Sequence, residues 1–223
     1  MSGERRKFRH EGEEQRRDAL INAALELISE GPPGAVTVRA IAARAGVTQG
    51  LIRHYFKTKE DLKRAAYQRH MSQMLAIHHG ALQTAPDTPL AQLAAFIVAA
   101  LTPPVIDPKS MSLWAGFITD IRTDPEMQSI HERNYLVFRH QLAALIAKLD
   151  ENRTDRQIHA LSIACNAVLD GLWLEGCALP DAFDQDELTA IGLGSIGAIL
   201  GVEFTPPVTQ PQKIPSIVMK ACE

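Results

Sequence analysis

From about residue 14 to about residue 202 the apolar residues of this chain recur at helical spacing, and proline, glycine and capping residues cut the pattern into segments. Strand-type alternation is weak throughout. Asn-Gly and Asp-Gly hairpin signals between apolar runs are absent, and the one Asp-Gly pair, Asp170-Gly171, sits inside a helical pattern. An all-α chain follows, with helices predicted at 14–30, 38–45, 48–56, 59–83, 88–101, 108–123, 126–149, 153–178 and 186–202. Leu20, Ile21, Ala24, Leu25, Leu27 and Ile28 give the first helix a broad apolar face, which Gly31-Pro32-Pro33-Gly34 ends. Thr58 and Asp61 match a capping box at the start of the fourth. Pro206, Pro207, Pro211 and Pro215 mark the last stretch as an extended or disordered tail.

The charge is split along the chain. Residues 1–70 hold 14 Lys/Arg against 9 Asp/Glu, and residues 71–223 hold 9 against 17. A basic head on an acidic body points the head at a polyanion. Apolar residues make up 46% and charged residues 22%, which excludes wholesale disorder. No run approaches the ~18 apolar residues of a membrane span. The opening MSGERRKFRH has no apolar signal core behind its charges, so a cytoplasmic protein with no membrane partner is expected. Cys165 and Cys177 stand on one predicted helix, roughly 18 Å apart at 1.5 Å per residue, too far to bridge within the chain.

Residues 37–56 read TVRAIAARAGVTQGLIRHYF. Val38, Ile41, Ala42 and Ala45 line the inner face of one short helix, and Leu51, Ile52 and Tyr55 or Phe56 that of the next. Ala42, Ala43 and Ala45 let the two cross closely, Gly46 breaks the first, and Val47 plugs the turn. This is a helix-turn-helix pattern, whose second helix can enter a DNA major groove. Gln49, Gly50, Arg53 and His54 make the exposed face of that helix, opposite Leu51 and Ile52. Gln49 suits adenine and Arg53 suits guanine, while Gly50 allows close approach. Thr48, at the helix N-terminus, can meet a phosphate. Thr37, Arg39, Lys57 and Lys59 are placed on the DNA backbone, and Tyr55 with His54 at the groove. A helical hairpin with solvated charges is the plain alternative. Others are an all-α enzyme or small-molecule carrier without a DNA role, and a helical adaptor.

The run from Thr37 to Thr48 followed by Tyr55-Phe56-Lys-Thr-Lys59-Glu-Asp-Leu62, after a helix with Ala23-Ala24 and Leu27 ending at Gly31, resembles the DNA-binding head of the TetR family of transcriptional regulators. Many members carry tyrosine three residues before the phenylalanine, where this chain has Arg53. His54-Tyr55-Phe56, the stretch from Val168 to Leu174, and Asp124-Pro125-Glu126 resemble the BetI-like branch, repressors of choline-to-betaine genes. The resemblance implies a repressor released from its operator by a small molecule, with a quaternary ammonium compound such as choline the first ligand to try and hydrophobic or aromatic inducers left open. The expected organisation is a flexible basic arm (1–12), a helix-turn-helix head (13–59), a helical ligand-binding and dimerisation bundle (60–203) and a Pro-rich tail (204–223).

A single head reads little DNA, so a homodimer on a palindrome is expected, paired through the helices at 153–178 and 186–202. The helix at 59–83 spans roughly 37 Å and is the natural lever between head and body. Trp114, Phe117, Asn166, Asp170 and Trp173 are the expected lining of a pocket, where an acid one turn from an aromatic face could hold a cation. No cofactor or metal is expected. Gly192, Gly194 and Gly197 spell GxGxxG, but no strand precedes them, and close helix packing explains them better. His131-Glu132 begins like a zinc-protease motif, but Tyr135 stands where the second histidine is needed. No nucleophile elbow appears, so an enzyme has no constellation to stand on.

Overall fold

Capping residues start most of the helices where the sequence places them. In the computed structural model, which describes residues 2–31, 36–184 and 186–204 (side chains from residue 12), the described residues form nine helices and no strand. These are α1 (Ser2–Glu30), α2 (Val38–Arg44), α3 (Gln49–Tyr55), α4 (Lys59–Thr84), α5 (Pro89–Ala100), α6 (Pro108–Thr123), α7 (Pro125–Ala147), α8 (Asp155–Ala178) and α9 (Glu187–Leu200). The hydroxyls of Thr37, Thr58, Thr88 and Thr154 and the carboxylates of Asp107 and Asp124 accept from free backbone N–H groups of the first turn that follows each. Such a cap contributes about 1 kcal/mol. Both hydrogen bonds of the Thr58–Asp61 capping box form, at 3.0 Å each. Thr48 holds the N-cap position of α3 with extended backbone, but its hydroxyl makes no cap bond.

One boundary needs correcting. α1 begins at Ser2, not near residue 14, so residues 2–12 continue the helix where a flexible arm is expected from the sequence. Arg, Lys, Glu and Gln are strong helix formers without any apolar period, so a reading based on periodicity does not register them. The Gly31-to-Gly34 stop lies mostly outside the described residues, and so does the tail beyond Phe204.

Two apolar clusters hold the chain. The first takes Leu20, Ile21, Ala24 and Ile28 of α1, Ile41 and Ile52 of the helix-turn-helix, and Leu62, Ala66 and Tyr67 of α4. It does not end with the head, because Phe117 and Ile121 of α6 and Met127 and Ile130 of α7 belong to it. The second joins α5, the later part of α7, α8 and α9 around Phe96, Ile97, Leu142, Ile146, Cys165 and Ile196. Cys165 and Cys177 are both free and buried. Polar ties reinforce the seam between head and body. Arg64 Nε donates to Asp124 Oδ2 (2.7 Å), its guanidinium pairs with Asp61 and Glu126, and Lys63 pairs with Asp120. At the same seam α1 lies so close to α6 that a Cβ on Gly116 would come within 2.5 Å of Ile28 Cγ2.

The GxGxxG glycines lie on α9. A Cβ on Gly192 would collide with Leu101, and one on Gly197 would lie 2.7 Å from the Val202 carbonyl. Gly194 faces open space. Close packing therefore explains two of the three.

Candidate nucleic-acid interface and ligand site

Gly46 takes φ +66° between α2 and α3, a left-handed conformation that glycine adopts without cost. The chain turns there, and Val47 N–H bonds back to the Ala42 carbonyl at 2.9 Å. Ile41, Ala42 and Ile52 are buried by the crossing. α2 is pinned to α1 by Arg44, which reaches Glu26 (3.1 Å) and Glu30 (2.7 Å). That pairing lowers the Glu30 pKa through the Arg44 hydrogen bond.

With the apolar faces turned in, α3 presents Gln49, Gly50, Arg53 and His54 to solvent, preceded by exposed Thr48. Thr37, Arg39 and Lys57 are exposed as well, and Lys59 is half-buried. Tyr55 departs from this pattern. It is half-buried, meets His54 edge-on at 5.1 Å, and lines a cleft with Arg17, Phe56, Arg64 and Glu126. The Thr37 hydroxyl accepts from Ala40 N–H at 3.1 Å, whereas that of Thr48 is left for another partner.

Between residues 37 and 70 the basic residues fall into two groups. Arg44, Lys63, Arg64 and Arg69 are each in ion pairs with carboxylates. Among the described residues Arg39, Arg53, Lys57 and Lys59, those placed on DNA by the sequence, have none. Positive charge without internal partners, gathered on one exposed helix and its flanks, is what contact with phosphates and base edges requires.

In the body the structure brings four of the five expected ligand residues together. Trp114 of α6 and Trp173 of α8 meet edge to face at 6.5 Å, and Trp114 is 43% exposed. Trp173 Nε1–H donates to the Val105 carbonyl (3.2 Å), so its ring offers only a π face. One turn earlier, Asp170 Oδ2 accepts from the Tyr135 hydroxyl and from Asn166 Nδ2, each at 2.7 Å. Asn166 Nδ2 also donates to the Tyr135 oxygen at 2.6 Å, leaving its buried Oδ1 without a partner. Asn166 Oδ1 is thus an acceptor without a donor, while the donors of Tyr135, Asn166 and Trp173 are taken. Asp170 lies at the solvent edge of α8, and burial of its surroundings raises its pKa against the opposing hydrogen bonds of Tyr135 and Asn166. Phe117, the fifth residue, is fully buried in the head's apolar cluster, tilted against Tyr67 at 4.8 Å.

Three side chains outside the expected lining connect these places. Tyr67 of α4 shares a 2.6 Å hydrogen bond with His131 Nδ1 of α7. His131 stacks on Tyr135 at 5.6 Å, and an open groove of about 570 Å³ runs over both rings. Burial raises the pKa of Tyr67 far above its ordinary value and lowers that of His131, which favours a neutral phenol sharing the bond with a neutral imidazole. The sequence shows His131 only as part of a failed metal motif, and Tyr135 also as one of the aromatic residues of the body helices.

Known proteins share the fold and the sequence pattern of this chain. Residues 20–66 match the family of bacterial regulatory proteins of the tetR type, and residues 89–201 match the C-terminal part of BetI-type transcriptional repressors. The HTH-type transcriptional regulator BetI of Pseudomonas aeruginosa PAO1 is 31% identical over 182 residues, covering 77% of this chain and 86% of that one. BetI of Burkholderia thailandensis is 29% identical over 172 residues, with the same coverage. A transcriptional regulator from Pseudomonas aeruginosa PAO1 shares the fold at TM-score 0.77 and 28% identity, over 84% of this chain and 91% of that one. A regulator from Saccharomonospora viridis, solved in complex with choline, aligns at TM-score 0.69 and 19% identity, over 80% and 94% of the two chains. With its helix-turn-helix head, its helical body and both matches in register, the chain belongs to the TetR family of transcriptional regulators, in the BetI-type branch, and is a DNA-binding repressor and not an enzyme.

Proposed function

We propose that this repressor acts as a homodimer on a palindromic operator, with a head (13–59) that reads DNA and a body (60–203) that binds ligand and pairs subunits. α3 lies in the major groove, with Gln49, Arg53 and His54 toward bases and Thr37, Arg39, Thr48, Lys57 and Lys59 toward phosphates. The observation that carries this is the division of the basic residues between positions 37 and 70, ion-paired at Arg44, Lys63, Arg64 and Arg69 and without an ion pair on the α3 face and its flanks. Pairing of subunits through α8 and α9 is supported by Ile163 and Leu174 on α8 and Ile191 on α9, which stay exposed at 40–48%.

The ligand we propose is a small organic cation of the choline type, at Asp170, Asn166, Trp173 and Trp114. A carboxylate at the solvent edge beside two indole rings suits a cation and disfavours an anion. The structural relative that binds choline supports the same choice.

The test is a gel shift with the DNA upstream of the chain's own gene, repeated with added choline. The proposal expects a dimer-sized complex that weakens at higher salt and is dissociated by choline. Absence of a shift refutes the operator reading. A complex that choline leaves intact refutes the ligand.

A further inference from the structure

We propose that Tyr67, His131 and Tyr135 are positioning residues that carry the state of Asp170 to the DNA-binding head. The inference rests on the reading of Asp170 as the acid that meets the ligand and of α3 as the DNA reader.

The contacts are continuous. Asp170 Oδ2 holds the Tyr135 hydroxyl at 2.7 Å. The Tyr135 ring lies within 29° of parallel to His131 at 5.6 Å. His131 Nδ1 shares a 2.6 Å hydrogen bond with the Tyr67 hydroxyl, and the two rings stack at 6.2 Å. Tyr67 is buried in the apolar cluster of α1, α2 and α3, two turns into α4. Tyr67, three contacts from the ligand acid, is therefore packed into the core that aims α3.

The upper end has two hydrogen-bonded arrangements available. In this structure Tyr135 donates to Asp170, and Asn166 Oδ1 is buried without a donor. The Asn166 amide nitrogen already lies 2.6 Å from the Tyr135 oxygen, so rotation of that amide offers Tyr135 a second acceptor. A cation that draws the Asp170 carboxylate toward itself removes the first acceptor and favours the second. Tyr135 then re-aims, the ring stacked on His131 shifts with it, and the His131–Tyr67 bond is reset. A signal of this kind needs an element with two states that both sites bias, and the Tyr135 hydroxyl meets that requirement.

The test needs no ligand. Operator affinity of the full chain is measured for wild type, Asp170→Asn, Tyr67→Phe and the double variant, with thermal melts as a folding control. Asp170→Asn imitates the neutralised acid and is expected to weaken operator binding by about five-fold or more. In the Tyr67→Phe background the same change is expected to shift affinity by less than about two-fold, since contacting groups couple and unconnected ones add. His131→Gln takes the place of Tyr67→Phe if that variant does not fold. Equal effects of Asp170→Asn in both backgrounds overturn the relay, as does an Asp170→Asn chain that binds like wild type. A wild-type chain that does not bind the operator overturns the functional reading and the relay with it. Choline that binds wild type and Asp170→Asn equally removes the ligand reading alone, while the affinity cycle still decides the relay.

Discussion

Substituting Gly116 by alanine sets two effects of known size against each other. Within a helix the change removes the excess chain entropy of glycine, worth about 1 kcal/mol of stability. At Gly116 the new methyl would come within 2.5 Å of Ile28 Cγ2, and Ile28 is buried where α1 meets α6. Ile28 is β-branched and cannot swing its Cγ2 away without an off-rotamer side chain or a shift of α1. Overpacking of that kind costs about 1–3 kcal/mol. The net expectation is neutral to about 2 kcal/mol destabilising. Gly80 of α4 supplies the control, because its Cβ would meet nothing within 4 Å. Gly80→Ala is expected to stabilise by about 1 kcal/mol, or roughly 2–4 °C in Tm for a chain of this size. Thermal and urea melts at fixed protein concentration measure both. If Gly116→Ala raises the Tm as much as Gly80→Ala, then α1 does not sit directly on α6 and the described seam is wrong.

His70, His78 and His131 all have pKa values lowered from 6.5 by burial, so the folded chain binds fewer protons than the unfolded one below that pH. Their contribution is present above about pH 6.5 and is lost as pH falls, with a slope up to about 1.4 kcal/mol per pH unit per histidine; urea melts from pH 7.5 to 5 check this. Asp124→Ala removes the cap bonds to Glu126 N–H (3.0 Å) and Met127 N–H (3.3 Å) together with the Arg64 contact, and should cost about 1–2 kcal/mol by the same melts. Lys57→Ala should weaken all DNA sites alike and reduce the salt slope by about 1, read from affinities at graded salt.

The sequence announces its helix starts well because caps and N1 prolines are local signals. Thr37, Thr58, Thr88 and Asp124 work within three residues of themselves, and the starts they mark fall within a residue or so of expectation. The exposed α3 face was equally legible, since helical spacing sets Gly50, Arg53 and His54 opposite the side formed by Leu51, Ile52 and Tyr55. Periodicity says which face is buried but not what it meets. Phe117 is expected in the pocket with Trp114 as an aromatic of the body helices, yet it packs on Tyr67 in the head's cluster. The partner of Asp170 stands 35 residues away on α7, and only the antiparallel packing of α7 on α8 brings Tyr135 to it. No local pattern marks such a pair. The early start of α1 was missed for the opposite reason, since residues 2–12 form helix by propensity with no apolar stripe to reveal it.

The measurement that meets the central claim most directly compares wild type with Arg53→Ala on the upstream fragment and on a scrambled fragment of equal length, across graded salt. If α3 reads bases, wild type prefers the upstream fragment, and Arg53→Ala loses about 1–3 kcal/mol on it while binding the scrambled fragment nearly as before. Equal wild-type affinity for the two fragments, or an Arg53→Ala chain that keeps the full preference, would contradict the assignment of α3 as the DNA reader.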